Sequence, residues 1–397
     1  MKTQIAAIDF GTSKIVTLIA QNSGMRRLDI IGSGTVPYDG YMDGDWNTPR
    51  QMVQRVHDSI AAAEMEAGIH VQEIYVGVPG EFMHVRSCEA EIDVPEGVID
   101  ENAVNAVMDA AAEQLELEDS GCLVLHRSPA WYMVDDGKRT MRPEGNGSRL
   151  KASVSFIVAE PVVIEDISEM MGVLGVTILG FLSSTLGEAL LLPSLDERDR
   201  GVMLIDCGYL NTEISVVEGD AITYHAIIPQ GGGHMTAALA EQLNIPMKTA
   251  EQIKRDYVFN PDDMDKDTFS EVSDEAGTRV TVPREVVSEC LEANMNELTH
   301  MIDLTIRNDA GRYLGARSQI YLTGGGIAMM RGAKENLSAG IGRPVKLAAA
   351  KTSELNSPVY ASSLGLADLA FDSVEQVKQE EGSPLSKVKG FFRGRQA

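Results

Sequence analysis

The chain has 397 residues, 44% hydrophobic and 23% charged, the composition of a globular protein with room for two to three core-forming units. Its net charge of −25 argues against a nucleic-acid partner, because holding a phosphate backbone needs a basic surface. Cys88, Cys122, Cys207 and Cys290 form neither a CxxC pair nor a His-rich cluster. Neither a zinc site nor a disulfide framework is therefore indicated, and free thiols in a reducing cytoplasm are expected. The opening MKTQIAAIDFG is too short and too acidic for a signal peptide. No apolar run approaches the ~18 residues of a membrane-spanning helix.

In chain order, Ile5–Thr17 (IAAIDFGTSKIVT) reads as an apolar strand ending at Asp9, a turn eased by Gly11, and a return strand Ile15–Ala20. Thr12, Ser13 and Lys14 offer donors to a phosphate; Lys14 reads equally as a solvated lysine at a strand edge. Leu28–Thr35 extends an antiparallel meander. Met52, Val53, Val56, Ile60, Ala63 and Met65 repeat at helical spacing, which predicts an amphipathic helix over Thr48–Ala67. A strand over Glu73–Val78 follows.

The pattern then changes. Phe82–Val94 reads as a strand and Asp100–Glu116 as a helix capped by Asp100. Two short strands, Cys122–Arg127 and Ala130–Val134, precede a turn-rich loop and a strand over Leu150–Ala159. No acid, base or nucleophile cluster stands here, so residues 84–161 read as an inserted α+β subdomain for protein contact.

After a helix over Pro161–Gly172, a strand over Gly175–Phe181 and a helix over Thr185–Leu192, the opening pattern returns. Gly201–Val217 (GVMLIDCGYLNTEISVV) is again strand, acid, glycine turn and strand. Between the strands Val202–Ile205 and Glu213–Val217 stand Asp206, Gly208, Asn211 and Thr212, all compatible with a turn. An acid at the end of a buried strand can hold a hydrated Mg2+, and the free N–H groups of the turn can take phosphate oxygens. A single copy would read as readily as an ordinary hairpin with an acidic turn. Two copies define two similar halves that present Asp9 and Asp206 to one Mg2+–nucleotide, with contact through water and Asp206 the one candidate for catalysis.

Ile227–Gly233 enters a glycine run, Gly231, Gly232 and Gly233, before helices over His234–Leu243 and Met247–Tyr257. Such a run lets a ligand approach the backbone. Glu251 and Lys254 lie one turn apart, as nucleotide contacts or as an exposed ion pair. Asn260–Arg279 is an acidic loop or hairpin, and Glu285–Leu314 a long helix. The strand Gln319–Thr323 runs into Gly324, Gly325 and Gly326 and then a helix over Met330–Ala339, which suits the base and ribose side of a nucleotide.

The last residues carry a separate signal. Residues 373–384 read as an acidic linker. Leu385, Val388 and Phe392 then fall at i, i+3 and i+7, with Phe391 beside them and Lys387, Lys389, Arg393 and Arg395 around that face. A basic, aromatic amphipathic segment over 385–397 suits an anionic lipid bilayer; the alternative is a disordered basic tail.

IDFGTSK, the hairpin at Asp206, QGGGHMT with AEQIK, and YLTGGG stand in the order of the actin–Hsp70–sugar kinase ATPase superfamily. Within it the chain resembles the FtsA family of actin-like bacterial cell-division proteins over essentially its whole length, including IYVGVPGEFMHV and CLVLHRSPAWYMVD at the insertion. The resemblance implies an α/β actin-like ATPase fold. Its halves would comprise 1–83 with 162–198 (subdomain 1A), and 199–224 with 316–372 (2A). Residues 84–161 would form the SHS2-like insertion (1C) and 225–315 the nucleotide-flanking subdomain (2B). It also implies ATP or ADP with Mg2+, self-assembly into filaments, and peripheral attachment to the cytoplasmic face of the cell membrane at the division site. The implied partners are the FtsZ C-terminal peptide and later divisome membrane proteins. Relatives usually carry three glycines in the second hairpin, where this chain has Gly208, Tyr209 and Leu210. Ala238 replaces an acid, and Ser184 stands near a position held by Glu or Gln in relatives that hydrolyse readily. Nucleotide binding with slow or absent hydrolysis is therefore expected. The competing readings are a turnover ATPase of the same fold and a pilus-assembly relative.

Overall fold

In a computed structural model of the protein, the described residues are 4–22, 28–42, 44–47, 49–117, 121–259, 269–273, 279–350 and 355–381. The amphipathic tail read at Leu385–Ala397 lies outside them, as does most of the acidic loop after Phe259.

Two five-stranded sheets share one topology. In the first, Gln4–Phe10, Lys14–Asn22 and Leu28–Pro37 form an antiparallel meander. Glu73–Val78 and Thr177–Ser183 add in parallel on the other side of Gln4–Phe10. In the second, Val202–Cys207, Thr212–Glu218 and Ala221–Ile228 form the meander. Gln319–Thr323 and Val345–Leu347 add in parallel beside Val202–Cys207. Each strand ending in an acid is thus the centre of its sheet, buried on both sides as its apolar run requires.

The central strand of the second sheet is longer than its apolar run. Asp206 pairs with Glu213 and Cys207 with Thr212, so Asp206 projects from a strand rather than a turn. By the two-residue period it shares a face with Leu204, whereas Met203, Ile205 and Cys207 face the second core.

The helix Pro49–Ala67 lies against the first meander, with Met52, Val56, Ile60 and Ala63 buried; Met65, expected on the same face, is 84% exposed, because two residues of helix turn it away from Ala63. Backbone contact makes this possible: a Cβ on Gly34 would stand 1.9 Å from the Ser59 carbonyl oxygen. Ser59 Oγ donates to the Gly34 carbonyl at 2.9 Å. The helix Arg284–Asn308 covers the second sheet through Leu291, Met295, Leu298 and Ile302, and ends earlier than its periodicity suggests, in a short turn Ala310–Tyr313.

The insertion is a three-stranded antiparallel sheet, Met83–Asp93, Arg149–Ala159 and Leu123–Val134, under the helix Glu101–Gln114. Asp100 caps that helix, accepting the Ala103 N–H at 2.9 Å. The two short strands expected over 122–134 are one strand with a bulge. Ser153 pairs with Trp131 and Val154 with Pro129, so Ala130 is skipped where proline lacks an N–H. The insertion also joins the halves. Ser155 Oγ donates to the Ile222 carbonyl at 2.5 Å, and Leu204, Val217 and Ile222 share a core cluster with Phe82, Leu125 and Ile157.

The last helix, Ala361–Glu381, packs on Gln4–Phe10 and on the helix Ser184–Leu191, and continues through most of the stretch read as a linker. Among the described residues no helix is long and apolar enough to cross a membrane.

Candidate functional site

The two hairpins meet tip to tip. Thr12 Oγ1 accepts the backbone N–H groups of Tyr209 and Leu210, both at 3.1 Å. The donors that a phosphate would use on the second hairpin are thus held by the first.

Asp9 is buried, and burial pushes its carboxyl above the usual range. Ser184 Oγ donates to its Oδ1 at 2.7 Å and Ser362 Oγ to its Oδ2 at 2.9 Å. These bonds tie the first strand to two helices far apart in sequence. Gly77 makes room for one of them: a Cβ there would come within 2.3 Å of Ser184 Oγ. Lys14 donates to the Val359 carbonyl at 2.8 Å and lies 4.4 Å from the Tyr360 ring centroid. Burial pulls its ammonium down to about 8, against the pull of Asp9 and Asp206. Lys14 is a cleft lysine, not a solvated one.

Asp206 stands among acids. Its carboxyl is raised by burial and then by the charge of Glu213. Glu188, 3% exposed, is raised well above the carboxylate range by burial and by Asp206 and Glu213. Its Oε1 has no hydrogen-bond partner among the described residues. The three acids, with Thr185, Leu204 and Ser215, line a cavity of about 10 Å³, room for about one water. Thr185 Oγ1 donates to Glu213 Oε2 at 2.8 Å, and His225 Nε2 lies 3.4 Å from the same oxygen.

The predicted glycines cluster, but they meet one another. A Cβ on Gly231 would stand 2.6 Å from the Gly208 carbonyl oxygen, one on Gly232 2.4 Å from the Gly326 carbonyl oxygen, and one on Gly326 2.2 Å from the Gly208 oxygen. Gly324, at φ +87°, passes the Asp206 carboxylate, whereas Gly325 has only Val359 nearby. The Tyr209 ring covers Gly233, where a Cβ would lie 2.6 Å from it. Asn211 Nδ2 donates to Glu81 Oε2 at 3.0 Å and Thr212 Oγ1 to the Gln230 carbonyl at 2.7 Å. Ser13 joins the site through its backbone, its carbonyl accepting the Tyr38 N–H at 3.1 Å.

Glu251 and Lys254 form a buried pair rather than an exposed one. Lys254, 1% exposed, reaches Glu251 at 2.7 Å and the Gly232 carbonyl at 2.9 Å. Glu251 also accepts from Thr236 and Arg255. The pair fastens the helix Met247–Asp256 to the glycine run.

Sequence reasoning missed Glu188, Ser362 and Gly77. Glu188 left one signal, an acid inside the apolar helix Ser184–Leu191. Ser362 lies 353 residues from Asp9 and left none. Among the described residues, no group of three or more His, Cys, Asp or Glu is set to ligate a metal directly.

The profile of the family described as cell division protein FtsA matches residues 203–365. FtsA of Pseudomonas aeruginosa is 26% identical over 401 residues, covering 96% of this chain and 91% of that one. FtsA of Escherichia coli K12 is 26% identical over 380 residues, covering 91% and 89%. FtsA of Borreliella burgdorferi is 25% identical, with 98% of both chains covered. The chain is a relative of FtsA. Its fold is actin-like. The PilM–PilN type IV pilus biogenesis complex superposes with a TM-score of 0.62 at 16% identity, covering 92% of this chain and 98% of that one. MreB 5 of Spiroplasma citri bound to AMPPNP superposes at 0.54 and 12% identity, covering 96% and 99%. In this chain two sheets of one topology face each other, and the hairpins after the duplicated acid strands are where they meet.

Proposed function

We propose that this FtsA relative binds ATP or ADP between its two hairpins, assembles with copies of itself, and tethers the FtsZ ring to the cytoplasmic face of the cell membrane through its basic tail. In this reading it engages the FtsZ C-terminal peptide and recruits later divisome membrane proteins, the insertion offering one surface for such contacts. The observation that carries the reading is the pair of acid strands, Asp9 and Asp206, brought to one junction by two sheets of identical topology.

The residues fit a hydrated Mg2+ better than a bare one: the acids are committed to hydroxyls and to each other, leaving water-mediated contact. Asp9 and Asp206 would hold that ion, which supplies charge neutralisation for the phosphates. Lys14 adds a cation beside them. The phosphates would take over the Tyr209 and Leu210 N–H groups from Thr12, and the glycine junctions would flank the nucleotide. Turnover is slow in this arrangement. Ser184 spends its proton on Asp9, and Asp206 shares a one-water cavity with Glu188 and Glu213, which compete for the same proton.

Titration of ATP and ADP with Mg2+ against the wild type, Asp9→Ala and Asp206→Ala tests the reading. Each substitution weakens Mg2+-dependent binding by about tenfold or more. Unchanged affinity in both variants refutes it.

A further inference from the structure

Three cations converge on a pocket at the far end of the second sheet from Asp206. The pocket, about 280 Å³, is lined by Glu197, Arg200, Gly201, Arg317, Gln319 and Lys346. Two parallel neighbours, Val202–Cys207 and Gln319–Thr323, begin here with Val202 opposite Gln319. The turn before each supplies one arginine, and the third parallel strand supplies Lys346, opposite Tyr321.

The scaffold is laced together. Ser318 Oγ donates to the Arg200 carbonyl at 3.1 Å and accepts the Gly315 N–H at 3.0 Å. Arg343 donates from below to the carbonyls of Gly315 and Ser318, at 3.3 and 3.2 Å. Gly201, at φ +76°, turns the chain directly after Arg200. The one lining carboxylate, Glu197, is held by Ser194 and by Tyr321 Oη at 2.7 Å.

Several arginines elsewhere, among them Arg139, Arg149, Arg198 and Arg255, meet a carboxylate. The guanidinium groups of Arg200 and Arg317 have no hydrogen-bond or ion-pair partner among the described residues. Two unpartnered guanidinium forks, with a lysine whose charge is shared with Glu197, leave the concavity net positive and suit the oxygens of a tetrahedral anion. The pocket's compactness favours a small group over an extended peptide.

We propose that this pocket binds a phosphate group, carried either by a soluble phosphorylated compound or by an anionic lipid headgroup. It is a second anion site, separate from the junction of the hairpins.

The test uses the full chain with ADP and Mg2+ saturating. Pyrophosphate and, separately, monomeric dihexanoyl phosphatidylglycerol are titrated calorimetrically into the wild type, the double variant Arg200→Gln/Arg317→Gln, and Arg86→Gln as an exposed control. At least one probe binds the wild type and Arg86→Gln alike, and binds the double variant about tenfold or more weakly. The tighter probe identifies the source of the phosphate. Binding of neither probe, or binding unchanged in a double variant whose melting temperature matches the wild type, overturns the proposal. A double variant that fails to fold is replaced by Lys346→Gln, for which the same loss is expected and the same lack of effect is fatal.

Discussion

The hydroxyl of Thr12 closes the cleft by accepting the backbone N–H of Tyr209 across 197 residues of sequence. It accepts the Leu210 N–H as well. One side-chain oxygen therefore quenches two half-buried donors. Thr12→Val keeps the shape and removes the acceptor, and costs about 1–3 kcal/mol in the ligand-free protein. A phosphate satisfies the same donors, so the thermal shift on adding ADP and Mg2+ becomes larger than in the wild type. Equal shifts in the two proteins would show that nucleotide does not use these N–H groups.

Lys254 is a stability residue as much as a site residue. Lys254→Met strips a buried partner from Glu251 and a donor from the Gly232 carbonyl. Glu251 is part-exposed and keeps Thr236 and Arg255, so the expected cost is that of a charge-assisted hydrogen bond, about 1.5–3 kcal/mol, rather than that of a fully buried orphan charge. Urea unfolding reads this directly; a loss below about 1 kcal/mol would mean that Glu251 is well served by Thr236 and Arg255 alone.

His126 gives the fold an acid-sensitive joint. Its Nε2 accepts the Ser183 N–H at 2.9 Å, and burial lowers its pKa from 6.5 to about 4. The unfolded chain therefore binds more protons between those values, and stability falls as pH drops from 6.5 toward 4. The full effect is about 3 kcal/mol. His126→Gln keeps an acceptor but not the titration, so its unfolding free energy changes less over that window than the wild type's. Parallel curves would remove His126 from the account.

Deleting Leu385–Ala397 releases the protein from anionic vesicles and leaves nucleotide affinity intact. Phe392→Glu does nearly the same by placing a charge on the apolar face. In the proposed reading each basic residue would contribute up to about 1 kcal/mol at an anionic surface, so a single tail would be a weak anchor that self-assembly multiplies. Sedimentation of the truncated chain with such vesicles would place the anchor elsewhere.

Local pattern announced most of the secondary structure. The duplicated strand–Asp-x-Gly–strand motif pointed to two like halves, and Asp100 declared its own helix cap. Hidden were relations that cross the chain. Nothing near Asp9 points to Ser362, and nothing near Gly77 announces the serine it clears space for. The glycine triplets predicted a ligand's approach; in the structure Gly231, Gly232 and Gly326 also meet backbone, a demand that leaves the same residue, while Gly325 has only Val359 nearby. Pro129 looked like a strand break because a bulge and a loop share the same local signature.

The seam through Ser155, Ile222 and Leu204 joins the halves along one side, behind the Thr12–Tyr209 latch. Drawing the halves straight apart would therefore break that seam as well as the latch. A gap at the latch that left the seam intact would open as a door does, swinging about a fixed jamb, and the insertion is built into that jamb. A protein gripping the insertion would pull on the hinge pin, and so set how far the door swings without touching the nucleotide.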